Sequence, residues 1–277
     1  MSGGATSGAG LSRYSFPLFV PANRPERFAK AAGSGTDTII IDLEDAVSAS
    51  EKDKARTGLG TGLDGLAGVS IWVRINAVST PWHEADLKAL SDLPVHAVML
   101  PKAESASQLQ SVRDGLPENT GLIALVETAR GIHAAHEIAA ASDRMAFGSV
   151  DYALDMNIAS TRDAFLMARS TLALAARIAG QPAPIDGVTT KTDDATLVAD
   201  DAAHALELGF GGKLLIHPKQ ITPARSAFVP SPSQIEWAQR IVANVTDGTA
   251  VAVDGEMIDA PVLEKAKGIL ERQERLT

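Results

Sequence analysis

Ile39-Ile40-Ile41-Asp42-Leu43-Glu44-Asp45 is a short apolar run that closes on carboxylates. Five other runs share the form. They are Ile71-Trp72-Val73-Arg74-Ile75-Asn76, Ala97-Val98-Met99-Leu100-Pro101-Lys102, Leu122-Ile123-Ala124-Leu125-Val126-Glu127, Met145-Ala146-Phe147-Gly148-Ser149-Val150-Asp151 and Leu214-Leu215-Ile216-His217-Pro218-Lys219. Parallel strands covered on both faces read as continuous apolar stretches rather than alternating ones. In such sheets ligands bind beyond the carboxyl ends of the strands. The charged residues should therefore collect on one rim, where the chemistry is to be sought.

Working outward, strands are expected to begin near Phe16, Thr38, Ser70, His96, Gly121, Arg144, Ala183 and Lys213. Most are separated by helical patterns: Pro25 to Ala32 with Asn23 as its cap, Ser48 to Leu59, Trp82 to Leu90, Ser105 to Gly115, Thr128 to Ala141, Arg162 to Gly180 and Asp193 to Leu208. This alternation predicts a parallel sheet with right-handed crossovers. Eight units favour a closed (β/α)8 barrel over an open doubly wound sheet, which counting alone leaves standing. After Gln220 the rhythm changes. A helix from Ser233 to Val245, a hairpin around Asp254-Gly255 and a helix from Pro261 to Arg275 make a C-terminal helix-hairpin-helix extension. The expected division is a flexible tail over 1–12, the barrel over 13–221 and the extension over 222–277.

Composition narrows the function. The chain has 277 residues, enough for one barrel of about 250. A net charge of −9 speaks against non-specific binding to nucleic acid or an anionic membrane. There is no cysteine, hence no disulfide, thiolate nucleophile or cysteine metal site. No run reaches the roughly 18 apolar residues of a membrane span. The Gly/Ser/Ala-rich start reads as a tail rather than a signal peptide, so a soluble cytoplasmic protein is expected.

Several rim residues could carry chemistry. Glu127 ends a strand run and precedes Thr128-Ala129-Arg130-Gly131, and Asp151 falls in the next strand-to-helix loop. Two carboxylates from adjacent strand ends suit Mg²⁺, which takes one or two of them and leaves places for water and substrate. The alternative for each is an acidic helix cap. Arg74 could stabilise negative charge on an enolate or a carboxylate, or simply pair with an acid. Glu44 and Asp45 could support Arg74 or metal-bound water, or cap a helix. Lys102 is read as a paired or solvated lysine in preference to a Schiff-base one. His217 is a metal ligand only in isolation, and His133 and His136 read as surface residues. Gly211-Gly212 is read as a plain turn. Asp259 is a favoured N-cap for the last helix. No Walker A, Gly-x-Ser-x-Gly or strand-linked Gly-x-Gly-x-x-Gly pattern occurs.

Taken together, Phe19-Val20-Pro21-Ala22-Asn23-Arg24-Pro25-Glu26-Arg27, Asp42-Leu43-Glu44-Asp45-Ala46-Val47, Val73-Arg74-Ile75-Asn76, Met99-Leu100-Pro101-Lys102-Ala103-Glu104, Val126-Glu127-Thr128-Ala129-Arg130-Gly131, Phe147-Gly148-Ser149-Val150-Asp151, Ile216-His217-Pro218 and Met257-Ile258-Asp259-Ala260-Pro261 resemble the citrate lyase beta-subunit-like family of CoA-ester lyases. The resemblance runs from Arg13 to Leu270. It implies a TIM barrel with a C-terminal extension, assembled as a homotrimer or hexamer. It further implies Mg²⁺ on Glu127 and Asp151, and Arg74 holding the acid substrate and its enolate. Asp259 would be delivered to a neighbouring subunit's site, against its reading as a mere cap. CoA would cross the barrel mouth, its phosphates needing basic groups such as Arg24, Arg27 or Lys30.

The expected activity is a Mg²⁺-dependent carbon–carbon lyase. It would cleave or form a short hydroxyacyl-CoA such as malyl-CoA or citramalyl-CoA, with an acyl-CoA and an α-keto acid as the other partners. Thioester hydrolysis is a variant of that reading. The alternatives are a CoA-independent aldolase on hydroxy keto acids and a citrate lyase beta subunit working inside a complex.

Overall fold

The computed structural model describes residues 11–244, 251–253 and 256–277; residues 1–10 of the expected 1–12 tail and the Asp254-Gly255 turn lie outside them. Six parallel strands stand in sequence order: β1 (Leu18–Pro21), β2 (Thr38–Asp42), β3 (Ser70–Arg74), β4 (Ala97–Leu100), β5 (Gly121–Val126) and β6 (Arg144–Phe147). The connecting helices are α1 (Phe28–Ala32), α2 (Lys52–Leu63), α3 (His83–Leu90), α4 (Ala106–Asp114), α5 (Ala129–His133), α6 (Ala135–Ala141), α7 (Ser149–Met156), α8 (Arg162–Ile178) and α9 (Ala195–Glu207). The result is an α/β fold around a parallel sheet whose strands are almost wholly buried, as the unbroken apolar runs predict.

The seventh and eighth expected strands appear as isolated parallel bridges: Ala146 with Ile185, Asp186 with Lys213, Leu215 with Leu18 and Gly212 with Ser15. Pro182 and Pro184 have no N–H to give a ladder, which shortens the pairing there. Gly211-Gly212 is not a plain turn. A Cβ on Gly212 would run into the backbone of Ser15, so glycine allows residues 211–215 to lie against 15–19. Buried Ile40, Trp72, Ala97, Met99, Ile123, Leu125, Ala146, Ile185 and Leu214 pack as one cluster drawn from β2 to β6 and both bridged segments.

Three other local readings change. The Thr128 to Ala141 helix is two helices that meet at Ala134. Asp151 sits in the first turn of α7, not in a loop. Asn23 does not cap the first helix; its side chain donates to Glu51 Oε2 at 2.9 Å.

The chain divides into two compact units, one ending at Ala224 and the other running from Arg225 to Thr277. The junction falls inside α10 (Ile221–Phe228). The second unit contains α11 (Pro232–Asn244), an antiparallel pair of β7 (Val251–Val253) with β8 (Glu256–Ile258), and α12 (Ala260–Leu276). Its own core is Ala238, Ile241, Ile258, Ala266 and Ile269.

Candidate active site

Side chains alternate between the two faces of a strand. Ile40 and Trp72 point into the inner cluster, so Asp42 and Arg74, two residues further on, lie on the same row. The two are register partners at the ends of β2 and β3. Arg74 donates to Asp42 through Nε at 2.8 Å and Nη2 at 2.7 Å, a two-pronged pairing that fixes the guanidinium plane. Its Nη1 lies 3.1 Å from Glu44 Oε2 and 3.5 Å from Asp45 Oδ2, and the guanidinium covers the Phe19 ring at 4.8 Å. Burial opposes its charge, but Asp42, Glu44 and Asp45 outweigh it and hold the guanidinium firmly protonated.

Asp42 was not among the expected site residues. It also accepts the backbone N–H groups of Glu44 (2.9 Å) and Ala46 (3.0 Å), so it shapes the turn that carries Glu44 and Asp45. The signal available in sequence was its place at the end of the Ile39–Ile41 run, opposite Arg74. Behind that turn, buried Lys52 donates to the carbonyls of Leu43 and Glu44 at 2.8 and 2.9 Å.

Glu127 follows β5 on the row of Ile123 and Leu125, and is 1% exposed. Its Oε1 accepts the Lys102 backbone N–H at 2.9 Å. On its other side stands Gly148, where any Cβ would collide with the Glu127 carboxylate. Burial, then the charges of Glu44 and Asp151, push the Glu127 carboxyl up to about 8, against the pull of Arg74 and the Lys102 N–H. Asp151, half-buried on α7, thus acts on Glu127 electrostatically.

Lys102 joins the two carboxylate groups. Its Nζ donates to Glu44 Oε1 at 2.6 Å. Burial works against its charge, but the Glu44 bond and the carboxylates of Glu44, Glu127 and Asp45 raise its pKa. An amine held protonated in this way is unsuited to Schiff-base chemistry, in line with its reading as a paired lysine. Glu44 is itself raised, chiefly by burial, and its buried Oε2 has no hydrogen-bond partner despite the nearby Arg74.

The structure therefore brings Arg74, Glu44, Asp45, Glu127 and Asp151 to one rim. Asp259 belongs to the second unit, where it caps α12 by accepting the Val262 N–H at 3.2 Å. His217 caps the short turn at Pro218–Gln220, and His133 and His136 are exposed. Among the described residues no group of three or more His, Cys, Asp or Glu side chains is placed to hold a metal. A donor set of one or two carboxylates with room for water instead matches a hard divalent cation. Also among the described residues, no helix is long and apolar enough to cross a membrane.

Residues 15–218 match the family model described as HpcH/HpaI aldolase/citrate lyase. The chain belongs to this family. By that membership it is an enzyme of the lyase class. Within the family, it is 41% identical over 266 residues to the citrate lyase subunit beta-like protein of Mycobacterium tuberculosis, covering 92% of this chain and 94% of that protein. It is 34% identical over 269 residues to a (3S)-malyl-CoA thioesterase of Cereibacter sphaeroides, covering 94% of each. Its structure resembles that of the M. tuberculosis protein CitE in complex with magnesium, acetoacetate and coenzyme A. That match has a TM-score of 0.85 at 39% identity and covers 95% of this chain and all of the other.

Proposed function

We propose that this protein is a Mg²⁺-dependent carbon–carbon lyase acting on a short hydroxyacyl-CoA such as malyl-CoA or citramalyl-CoA, with an acyl-CoA and an α-keto acid as its other partners. The observation that carries this reading is the charge balance of the rim. Five carboxylates (Asp42, Glu44, Asp45, Glu127 and Asp151) share the rim with three cationic side chains, Arg74, Lys102 and, behind the Leu43–Glu44 turn, Lys52. Three of the carboxylates, Asp42, Glu44 and Glu127, are buried, and an excess of negative charge around such a site calls for a cation. The orphaned Glu44 oxygen and the carboxyl of Glu127, pushed up to about 8, are its local signs. The oxygen-only donors fit Mg²⁺. The M. tuberculosis relative bound to magnesium, acetoacetate and coenzyme A supports the same assignment.

Glu127 and Asp151 would be the metal ligands, with Glu44 and Asp45 supporting them. Bound there, Mg²⁺ would polarise the oxygens of the keto-acid half of the substrate. Cleavage takes the proton of the 3-hydroxyl, breaks the C2–C3 bond and leaves the thioester half as an enolate, which is reprotonated at carbon. Arg74, held rigid by Asp42, offsets the developing negative charge without having to reorient. Asp259, delivered from a neighbouring subunit of a homotrimer or hexamer, would move the proton at the α-carbon of the acyl thioester. Arg27 and Lys30 line a cleft with Phe19 and His217 of about 440 Å³, and their charges suit the phosphates of CoA. We further infer that the sheet closes into a (β/α)8 barrel over residues 13–221, with 222–277 as the extension. The four bridges between 146, 185–186, 212–215 and 15–18 support this closure.

A second reading, a beta subunit working inside a citrate lyase complex, is favoured by the name of the mycobacterial relative. The test is to incubate the purified protein alone with Mg²⁺ and a panel of hydroxyacyl-CoA esters, and to follow release of α-keto acid. Turnover of a thioester by the isolated chain supports the leading reading. Turnover of free hydroxy keto acids with none of any thioester sinks it.

A further inference from the structure

We infer that Lys102 is the positioning residue of this site, its backbone amide fixing the Glu127 carboxylate and its ammonium fixing the Glu44 carboxylate beside Arg74. The inference rests on the reading of the rim as a Mg²⁺ site.

Lys102 has φ +49°, and among the described residues it shares positive φ with only one other non-glycine, Asn157. Asparagine tolerates that region because its short side chain bonds locally; lysine has no such compensation. A strained residue persists where its surroundings over-determine it, and such residues cluster at functional sites. The left-handed turn after Pro101 has a visible product. Two successive amides donate across to the end of β5: Lys102 N–H to Glu127 Oε1 at 2.9 Å, and Ala103 N–H to the Leu125 carbonyl at 3.1 Å. The side chain serves the other carboxylate. Its Nζ lies 2.6 Å from Glu44 Oε1, although the side chain is 40% exposed and could solvate its charge instead. The other Glu44 oxygen meets Arg74 Nη1 at 3.1 Å without an aligned hydrogen bond. One residue thus sets the spacing between Glu127, just past β5, and the pair of Glu44, just past β2, with Arg74 at the end of β3.

Two variants test this. Lys102→Met keeps the apolar stem and the backbone amide but removes the ammonium; Lys102→Arg restores a cation. Both should melt near the wild-type temperature, because the side chain is partly exposed. In a crystal structure, Lys102→Met should show the Glu44 carboxylate turned away from its place beside Arg74. It should bind Mg²⁺ about 10- to 100-fold more weakly by calorimetry and lose kcat by a similar factor. KM should stay within about threefold of wild type, and Lys102→Arg should regain most of the lost kcat. Glu44 unmoved, with wild-type Mg²⁺ affinity, overturns the inference. A wild-type protein that binds no Mg²⁺ would instead break the functional reading, and the Glu44 position in the Lys102→Met crystal would still decide the role of Lys102.

Discussion

Replacing Glu127 by Gln isolates the electrostatic strain of the rim. In the folded protein the carboxyl is pushed up to about 8 by burial and by Glu44 and Asp151; in the unfolded chain it reverts to the ordinary value near 4.5. The folded state therefore holds the proton more tightly than the unfolded one. The stability that this group contributes is fully present below about pH 4.5 and declines as pH rises towards 8, by about 1.4 kcal/mol per pH unit. Over the whole window the loss is on the order of 4–5 kcal/mol. Glu127→Gln cannot ionise, so its stability relative to wild type should climb across that window and level off above pH 8. The assay is urea unfolding of both proteins at pH 5, 6, 7 and 8 with a chelator present. Adding Mg²⁺ at pH 8 should restabilise the wild type and leave the variant unmoved. Parallel stability–pH profiles, or equal stabilisation of both proteins by Mg²⁺, would refute the placement of a strained, metal-seeking carboxylate at 127.

Three further changes probe other parts of the molecule. Arg74→Lys loses the two-pronged bond to Asp42 and leaves that carboxylate poorly paired, so it should destabilise by about 3 kcal/mol in denaturant unfolding and lower kcat by at least about 100-fold. Arg144 is wholly buried and donates to the carbonyls of Ala183, Ser12 and Arg13, so Arg144→Met should cost about 2–4 kcal/mol while KM stays unchanged in the surviving enzyme. Asp259→Ala should lose its cap, worth about 1 kcal/mol, and its activity; mixing it with Glu127→Gln and allowing subunits to exchange should restore turnover, which a residue serving its own subunit would not do.

The rim was legible because the strand runs declare themselves. Once Ile39–Ile41 is read as a buried parallel strand, the carboxylates after it must lie at its open end, and the same holds for Arg74 and Glu127. Period two even places Asp42, Arg74 and Glu127 on the inward row, one step beyond Ile40, Trp72 and Leu125. What pattern alone missed depends on contacts between strands. The role of Asp42 emerges from register with Arg74 across the sheet. The significance of Lys102 lies in a left-handed backbone that no apolar rhythm encodes. Gly148 passes for a turn residue until the Glu127 carboxylate is seen against it. The break at Ala134 was hidden for a simpler reason: alanine-rich stretches give a helical signal without marking where one helix stops. Asp151 lies in an eight-residue helix, too short for its apolar period to stand out from a loop.

The contact between residues 15–19 and 211–215 fixes an order in time. Four backbone hydrogen bonds tie them: Ser15 to Gly211, Lys213 to Ser15, Leu215 to Pro17 and Phe19 to Leu215. Nearly two hundred residues of chain separate the partners. At a synthesis rate of about 5–20 residues per second, the first strand leaves the ribosome on the order of 10–40 seconds before its mate exists. Throughout that interval the nascent chain carries an apolar strand with one edge open, the kind of surface that recruits chaperones or a wrong neighbour. For this enzyme, yield in the cell should respond to translation speed and chaperone supply more steeply than the stability of the finished fold would suggest.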